Sequence, residues 1–264
     1  MFPPGTPGVR LAPMSTDLKS IGLGFDRWQD AVEAAIATNQ LTVTGEIRGG
    51  QLVQFDDASG AQIHILAVEP FAAYAGFESV TQTFAHVSMI NEILAYCEIV
   101  DPFGTVLSTV TCNLAQGPLL VDQPTQQWQQ VGVTALALEA TQHDSPEAYQ
   151  AATGEAPGTL VSEGARVVAS GSGAAVPDAS VTFSARVLEA EYRHNQLTGQ
   201  RFIHATVDGV FPFDVCLPDG PEVPVKNSVI SGTALLTASV LTPIGGCGGG
   251  GGGCGCGSGG CGGH

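Results

Sequence analysis

Lysine is nearly missing from this chain. Lys19 and Lys226 are the only two, and seven arginines bring the basic total to 9 against 25 acidic residues, a net charge of −16. Nucleic-acid backbones are bound by neutralising phosphates with Lys and Arg. No basic stripe exists to do that, so neither general nucleic-acid binding nor attraction to an anionic membrane is expected. Acidity of this kind serves solubility first. Aromatic residues are also scarce, at 6%, and charged residues stop at 13%. No apolar run nears the roughly 18 residues that cross a bilayer. The opening Met1-Phe2-Pro3-Pro4-Gly5 lacks the charged-then-apolar order of an export signal, and Met14 reads as the natural start of the body. A cytoplasmic location is the expectation. Cys97, Cys112 and Cys216 each sit in an apolar, strand-like run, and are expected as small buried hydrophobes rather than a disulfide framework.

Hydrophobic residues make up 44% of the 264, ample for a core and long enough for two small domains. The expected fold is mainly β with an α+β N-terminal part. A flexible N-terminus (1–20) leads into a helix plus antiparallel sheet or barrel (21–152). A Gly/Ala/Ser-rich linker (153–178) follows, then an OB-like antiparallel barrel (179–241) and a disordered Gly/Cys tail (242–264). The helix is read over 26–38, where Trp28, Ala31, Val32, Ala35 and Ile36 make one apolar stripe and Asp26 offers a cap. Alternating runs at 41–47, 51–55 and 61–68, punctuated by Gly49-Gly50 and Ala58-Ser59-Gly60, predict a meander. A long apolar run over 84–100 and a return over 105–112 flank the turn Asp101-Pro102-Phe103-Gly104. Residues 119–121 and 131–138 are read as further strands. Ser145-Pro146-Glu147 signals a short helix over 145–152. Four or five strands, among them 182–192, 200–207, 210–217 and Ile230 to Val240, separated by tight turns, compose the expected C-terminal barrel, and the same compactness also suits a β-sandwich fragment.

The hairpin Arg193-His194-Asn195-Gln196-Leu197-Thr198-Gly199-Gln200-Arg201-Phe202 resembles an Arg-Thr-Asn-x-Leu-Thr-Gly-x-x-Phe signature found in a group of uncharacterised, mostly actinobacterial proteins. The upstream Asp57-Ala58-Ser59-Gly60-Ala61 and the closing Ser231-Gly232 extend that resemblance over most of 25–241. His194 stands where threonine is usual, and Thr233-Ala234 replaces an aromatic pair. The resemblance implies a fold and no activity. The turn residues also carry a structural reading of their own: Gly199 for a positive φ, Asn195 and Thr198 for bonds to nearby backbone.

Candidate chemistry in the body is thin. The Gly-Ser-Gly stretch at 171–173 does not place glycines two residues either side of a serine, so it is no nucleophile elbow. No two of His64, His86, His143, His194 and His204 stand at a metal-pair spacing. His64 shares a polar strand face with Gln62, and His204 shares one with Phe202 and Thr206. Both read as surface or half-buried residues. Glu189 and Glu191 share a strand face near Arg193 and read as a solvated acidic face. No catalytic residue is assigned, and the chain is expected to act without enzymatic activity on a protein or small-ligand partner.

The tail is different in kind. From Gly245 to His264, 14 of 20 residues are glycine. Burial cannot offset the cost of ordering such a segment, roughly 1–2 kcal/mol per residue. Cys247, Cys254, Cys256, Cys261 and His264 nevertheless offer four thiolates and an imidazole, a donor set suited to Zn²⁺ or Cu⁺. Their spacing is not that of a zinc finger. Metal binding therefore stands beside low-complexity drift, with a thiol-linking tag or an enzymatically modified Gly-Cys tract behind.

Overall fold

The structure, a computed structural model, describes residues 17–241 and is mainly β. The tail residues Cys247, Cys254, Cys256, Cys261 and His264 lie outside the described residues, as does the expected start at Met14. No helix among the described residues is long and apolar enough to cross a membrane.

The N-terminal part is α1 (Asp17–Ser20), α2 (Trp28–Ala37) and a four-stranded antiparallel meander. Its strands are β1 (Thr42–Ile47), β2 (Gly50–Asp56), β3 (Ala61–Leu66) and β4 (Ala72–Phe77). Arg27, not Asp26, takes the cap position of α2, and its guanidinium pairs instead with Asp30 in the first turn. One face of this small sheet, with Phe55, Ile63, Ala75 and Phe77, shares a core with Leu18, Ile21, Leu23, Ala31 and Ala35 from the helical segment.

The remaining strands form one large sheet: β5 (Thr83–Met89), β6 (Leu94–Val100), β7 (Val106–Leu114), β8 (Gln126–His143), β9 (Thr159–Ser162), β10 (Ser180–His194), β11 (Arg201–Asp208), β12 (Pro212–Pro218) and β13 (Val229–Val240). The apolar run over 84–100 is two strands rather than one. Asn91 divides them by accepting hydrogen bonds from the backbone of Ile93 (2.9 Å) and Leu94 (2.8 Å). Residues 117–120 form α3 (Gly117–Leu120) where a strand was expected, with Pro118 at the start of the turn. Helix α4 (Pro146–Thr153) is capped as its sequence predicts, the Ser145 hydroxyl accepting from the Ala148 backbone at 3.2 Å.

The large sheet contains the same four-strand unit twice. A meander, β5–β6–β7, leads to the long β8; a second meander, β10–β11–β12, leads to the long β13. β8 and β13 pair with each other, antiparallel, over twelve positions. Each also pairs antiparallel with the first strand of its own meander and parallel with the last strand of the other. Two five-stranded rings result, both closed by the β8–β13 ribbon. Within it Thr134 faces Thr237, flanked by Asp214 on β12 and Asn113 on β7.

The barrel expected over 179–241 thus takes its fifth strand, β8, from far upstream, and the closing β12–β8 contact is parallel rather than antiparallel. Residues 153–178, expected as a linker, carry β9 and α5 (Glu163–Ser170). Both are held by Ser162, whose hydroxyl accepts from the backbone of Thr111 (3.1 Å) and Ala165 (3.2 Å). Alternation explains the core: Val131, Val133, Ala135 and Ala137 of β8 and Ala234, Leu236, Ala238 and Val240 of β13 point inward. Cys97 and Cys112 lie inside the first ring with sulfurs 3.6 Å apart, and all three body cysteines are buried free thiols. The outward residues Leu136, Phe202 and Cys216 pack against the meander of the N-terminal part.

Candidate functional site

Two hairpins read as separate turns in the sequence meet in space. Asp57, in the β2–β3 turn, accepts hydrogen bonds through Oδ2 from the backbone N–H of Gln196 (2.9 Å) and Leu197 (3.2 Å). Its Oδ1 accepts from the backbone and hydroxyl of Ser59 (2.9 and 2.5 Å). Asn195 is fully buried; its amide donates to the Ile21 carbonyl (3.2 Å) and its oxygen accepts from the backbone of Leu197 and Thr198. Thr198 donates to the Gly22 carbonyl at 2.5 Å. Gly199 sits at φ 73° with open space around it, so the turn rather than a close approach requires glycine. The motif residues are therefore a clamp holding the N-terminal part onto the second ring.

Beside this clamp lies the one arrangement among the described residues with chemical character. β11 carries Phe202, His204 and Thr206 on its outer face, and the register sets Glu191 of β10 opposite His204 and Asp214 of β12 opposite Thr206. His204 Nε2 is 2.8 Å from Asp214 Oδ2. Asp214 is fully buried. It also accepts from the backbone of Val80 (2.7 Å) and Thr81 (3.0 Å) and from the Thr81 hydroxyl (2.6 Å). Burial pushes the Asp214 carboxyl up, but the bonds from His204, Thr81 and Val80 outweigh it and hold the pKa below its usual value. Asp214 is thus a carboxylate. It assigns the hydrogen to Nε2 and leaves Nδ1 for the other side, 4.0 Å from Glu191 Oε1.

His204 is 3% exposed and stacks on Phe77, 5.2 Å between ring centres at 23°. Arg193 lies over the same phenyl ring, donates to Glu191 (2.8 Å) and donates to the Ser59 carbonyl (3.1 Å). Val80, Glu189, Glu191, Arg193, His204 and Thr206 line a small pocket of about 180 Å³ here. The larger concavities, about 500 Å³ at the β1–β2 turn and about 290 Å³ beside β12, carry no histidine or cysteine. No protein-family model, curated protein or solved structure matches this chain.

The expectation that His64 and His204 are surface or half-buried is corrected: both are buried, His64 against Tyr74 and His204 under Phe77 of β4 and beside the Val80–Thr81 segment. Glu189 and Glu191 do share a face, as alternation implies, and both are exposed as expected, at the border of the small pocket. Nothing in the local sequence signals this. The Asp214 partners Val80 and Thr81 lie more than 130 positions away. Among the described residues no group of three or more His, Cys, Asp or Glu is arranged to hold a metal ion.

Proposed function

We propose that this is a soluble, non-enzymatic binding protein that takes a cationic side chain of a basic partner into the pocket at His204. One observation carries the reading: two exposed carboxylates, Glu189 and Glu191, border the pocket beside an imidazole whose Nε2 is committed to Asp214. The single cation there, Arg193, is spent on Glu191 and the Ser59 carbonyl. A net charge of −16 favours encounter with a basic partner and opposes an acidic one. The same imidazole suits a general base; Thr206 is the one hydroxyl lining the pocket, with no serine, cysteine or lysine there.

The test is an NMR titration of the full chain with a short lysine-containing peptide and its glutamate counterpart. Shifts at His204 and Thr206 with the first peptide only, weakened by salt and by Glu189→Gln with Glu191→Gln, are the expected result. Equal response to both peptides, or none at His204, sinks the proposal.

A second reading places the function in the tail. Cys247, Cys254, Cys256, Cys261 and His264 form a glycine-spaced donor set for Zn²⁺ or Cu⁺. Titrating either ion into the reduced chain and into a version ending at Gly245 decides it, since equal stoichiometry removes the tail from consideration.

A further inference from the structure

β8 is left half-paired at its C-terminal end. On the flank away from β13 it pairs first with β5, from Gln126 to Val131, and then with β12, from Thr134 to Leu136. Beyond Leu136 that flank has no partner strand among the described residues, while pairing to β13 runs on to His143. Residues 139–142 are exposed, and no backbone hydrogen bond among the described residues reaches their free flank.

The first ring treats the related position differently. Where β7 leaves β13, the Gln116 amide steps in: its oxygen accepts from the Val240 N–H (2.9 Å) and its nitrogen donates to the Val240 carbonyl (3.5 Å). A side-chain amide there replaces the missing strand. In the second ring Pro218 follows Leu217, and proline has no N–H to offer. The chain turns away, opening a cleft of about 290 Å³ between β8 and the proline-rich segment after β12. Leu138, Ile203, Leu217 and Ile230 give it apolar lining, and Glu222 is its one charged residue. Glu139, on the neighbouring free edge, adds a second acidic group.

We infer that this cleft is a strand-addition site for an extended, basic segment of a partner protein. The partner's backbone pairs with the free flank of β8 at 139–142, as Gln116 pairs with Val240 in the other ring. An apolar side chain sinks onto Ile203, Leu217 and Ile230, and a flanking basic residue meets Glu139 and Glu222. Strand addition of this kind draws affinity from main-chain bonds and specificity from pockets for alternate side chains. Charge selects the occupant: no Lys or Arg lines the cleft, and a second copy of a chain at −16 is repelled. The site is separate from the His204 pocket and does not rest on its reading.

The probe is a short peptide of alternating lysine and valine, blocked at both ends. Calorimetric binding to the full chain, with slowed amide exchange confined to 139–142 and the facing β12 segment, is expected. The same peptide N-methylated at alternate amides loses two or three hydrogen bonds and binds at least about tenfold more weakly. The exposed double change Glu139→Lys with Glu222→Lys shifts preference to a glutamate–valine peptide. Undiminished binding of the N-methylated peptide overturns the inference, as does absence of protection at 139–142. So does protection there without peptide in a sedimenting dimer, which makes a second copy the occupant.

Discussion

His64 makes this protein's stability depend on pH in a window that ordinary carboxylates do not reach. It is fully buried on β3, tilted against Tyr74 at 5.1 Å, and neither ring nitrogen has a hydrogen-bond partner among the described residues. Gly76 makes its room, since a Cβ there would stand 2.2 Å from Nε2. Burial pushes the imidazole down from 6.5 to about 4, with Asp56 opposing weakly. A group whose folded pKa is lowered contributes stability above its unfolded pKa and loses it as pH falls through the folded one. The unfolded chain takes up a proton below pH 6.5 that the fold refuses until about pH 4. The full loss is about 3 kcal/mol, of which about 2 kcal/mol falls between pH 7 and pH 5. Urea unfolding of the parent and of His64→Leu at both pH values isolates it, because the difference cancels every other group. Leucine keeps the apolar volume and removes two unpartnered nitrogens, so the variant is expected to be at least as stable at pH 7. If the variant loses as much stability as the parent between pH 7 and pH 5, the buried neutral imidazole is refuted.

Asp57→Ala strips acceptors from the N–H groups of Gln196, Leu197 and Ser59, and a lowering of about 2–3 kcal/mol in urea unfolding is expected. Asp214→Asn turns an NH₂ toward donors in a site that offers four hydrogen bonds to a carboxylate. It is expected to cost about 2–3 kcal/mol at pH 7. Because the Asp214 pKa is lowered, its contribution holds above the unfolded value near 4 and fades as pH falls further, so the variant narrows its gap to the parent only in strong acid. Gly232→Ala sets a Cβ 1.9 Å from the Glu139 carbonyl oxygen in the β8–β13 ribbon. Circular dichroism and solubility are expected to report failure to fold, and a native-like spectrum would contradict the pairing.

What the sequence discloses, and what it hides, divides at the distance over which each cause acts. Ser145-Pro146 caps its helix because cap and helix are neighbours, and Gly199 makes its turn by its own backbone freedom. The alternation from Ile230 to Val240 likewise names an inward face without saying what encloses it. Closure is a different matter. β8 and the β10–β11–β12 meander are joined only through register, with Asp214 opposite Thr134 across the parallel contact, and no local pattern encodes that meeting. The same limit explains the histidines. Alternation sets His204 beside Phe202 and Thr206 on the outer face of β11, correctly. Yet an outer face is solvated only if nothing covers it, and here Phe77 of β4 and the Val80–Thr81 segment do. A buried carboxylate such as Asp214 is legible only after the fold supplies its donors. Once four donors converge on it, the imidazole it holds is fixed in one orientation, Nδ1 outward toward Glu191. The pocket's make-up is therefore a product of tertiary packing. Its chemistry was present in the residue types all along, but its direction came from partners more than 130 positions away.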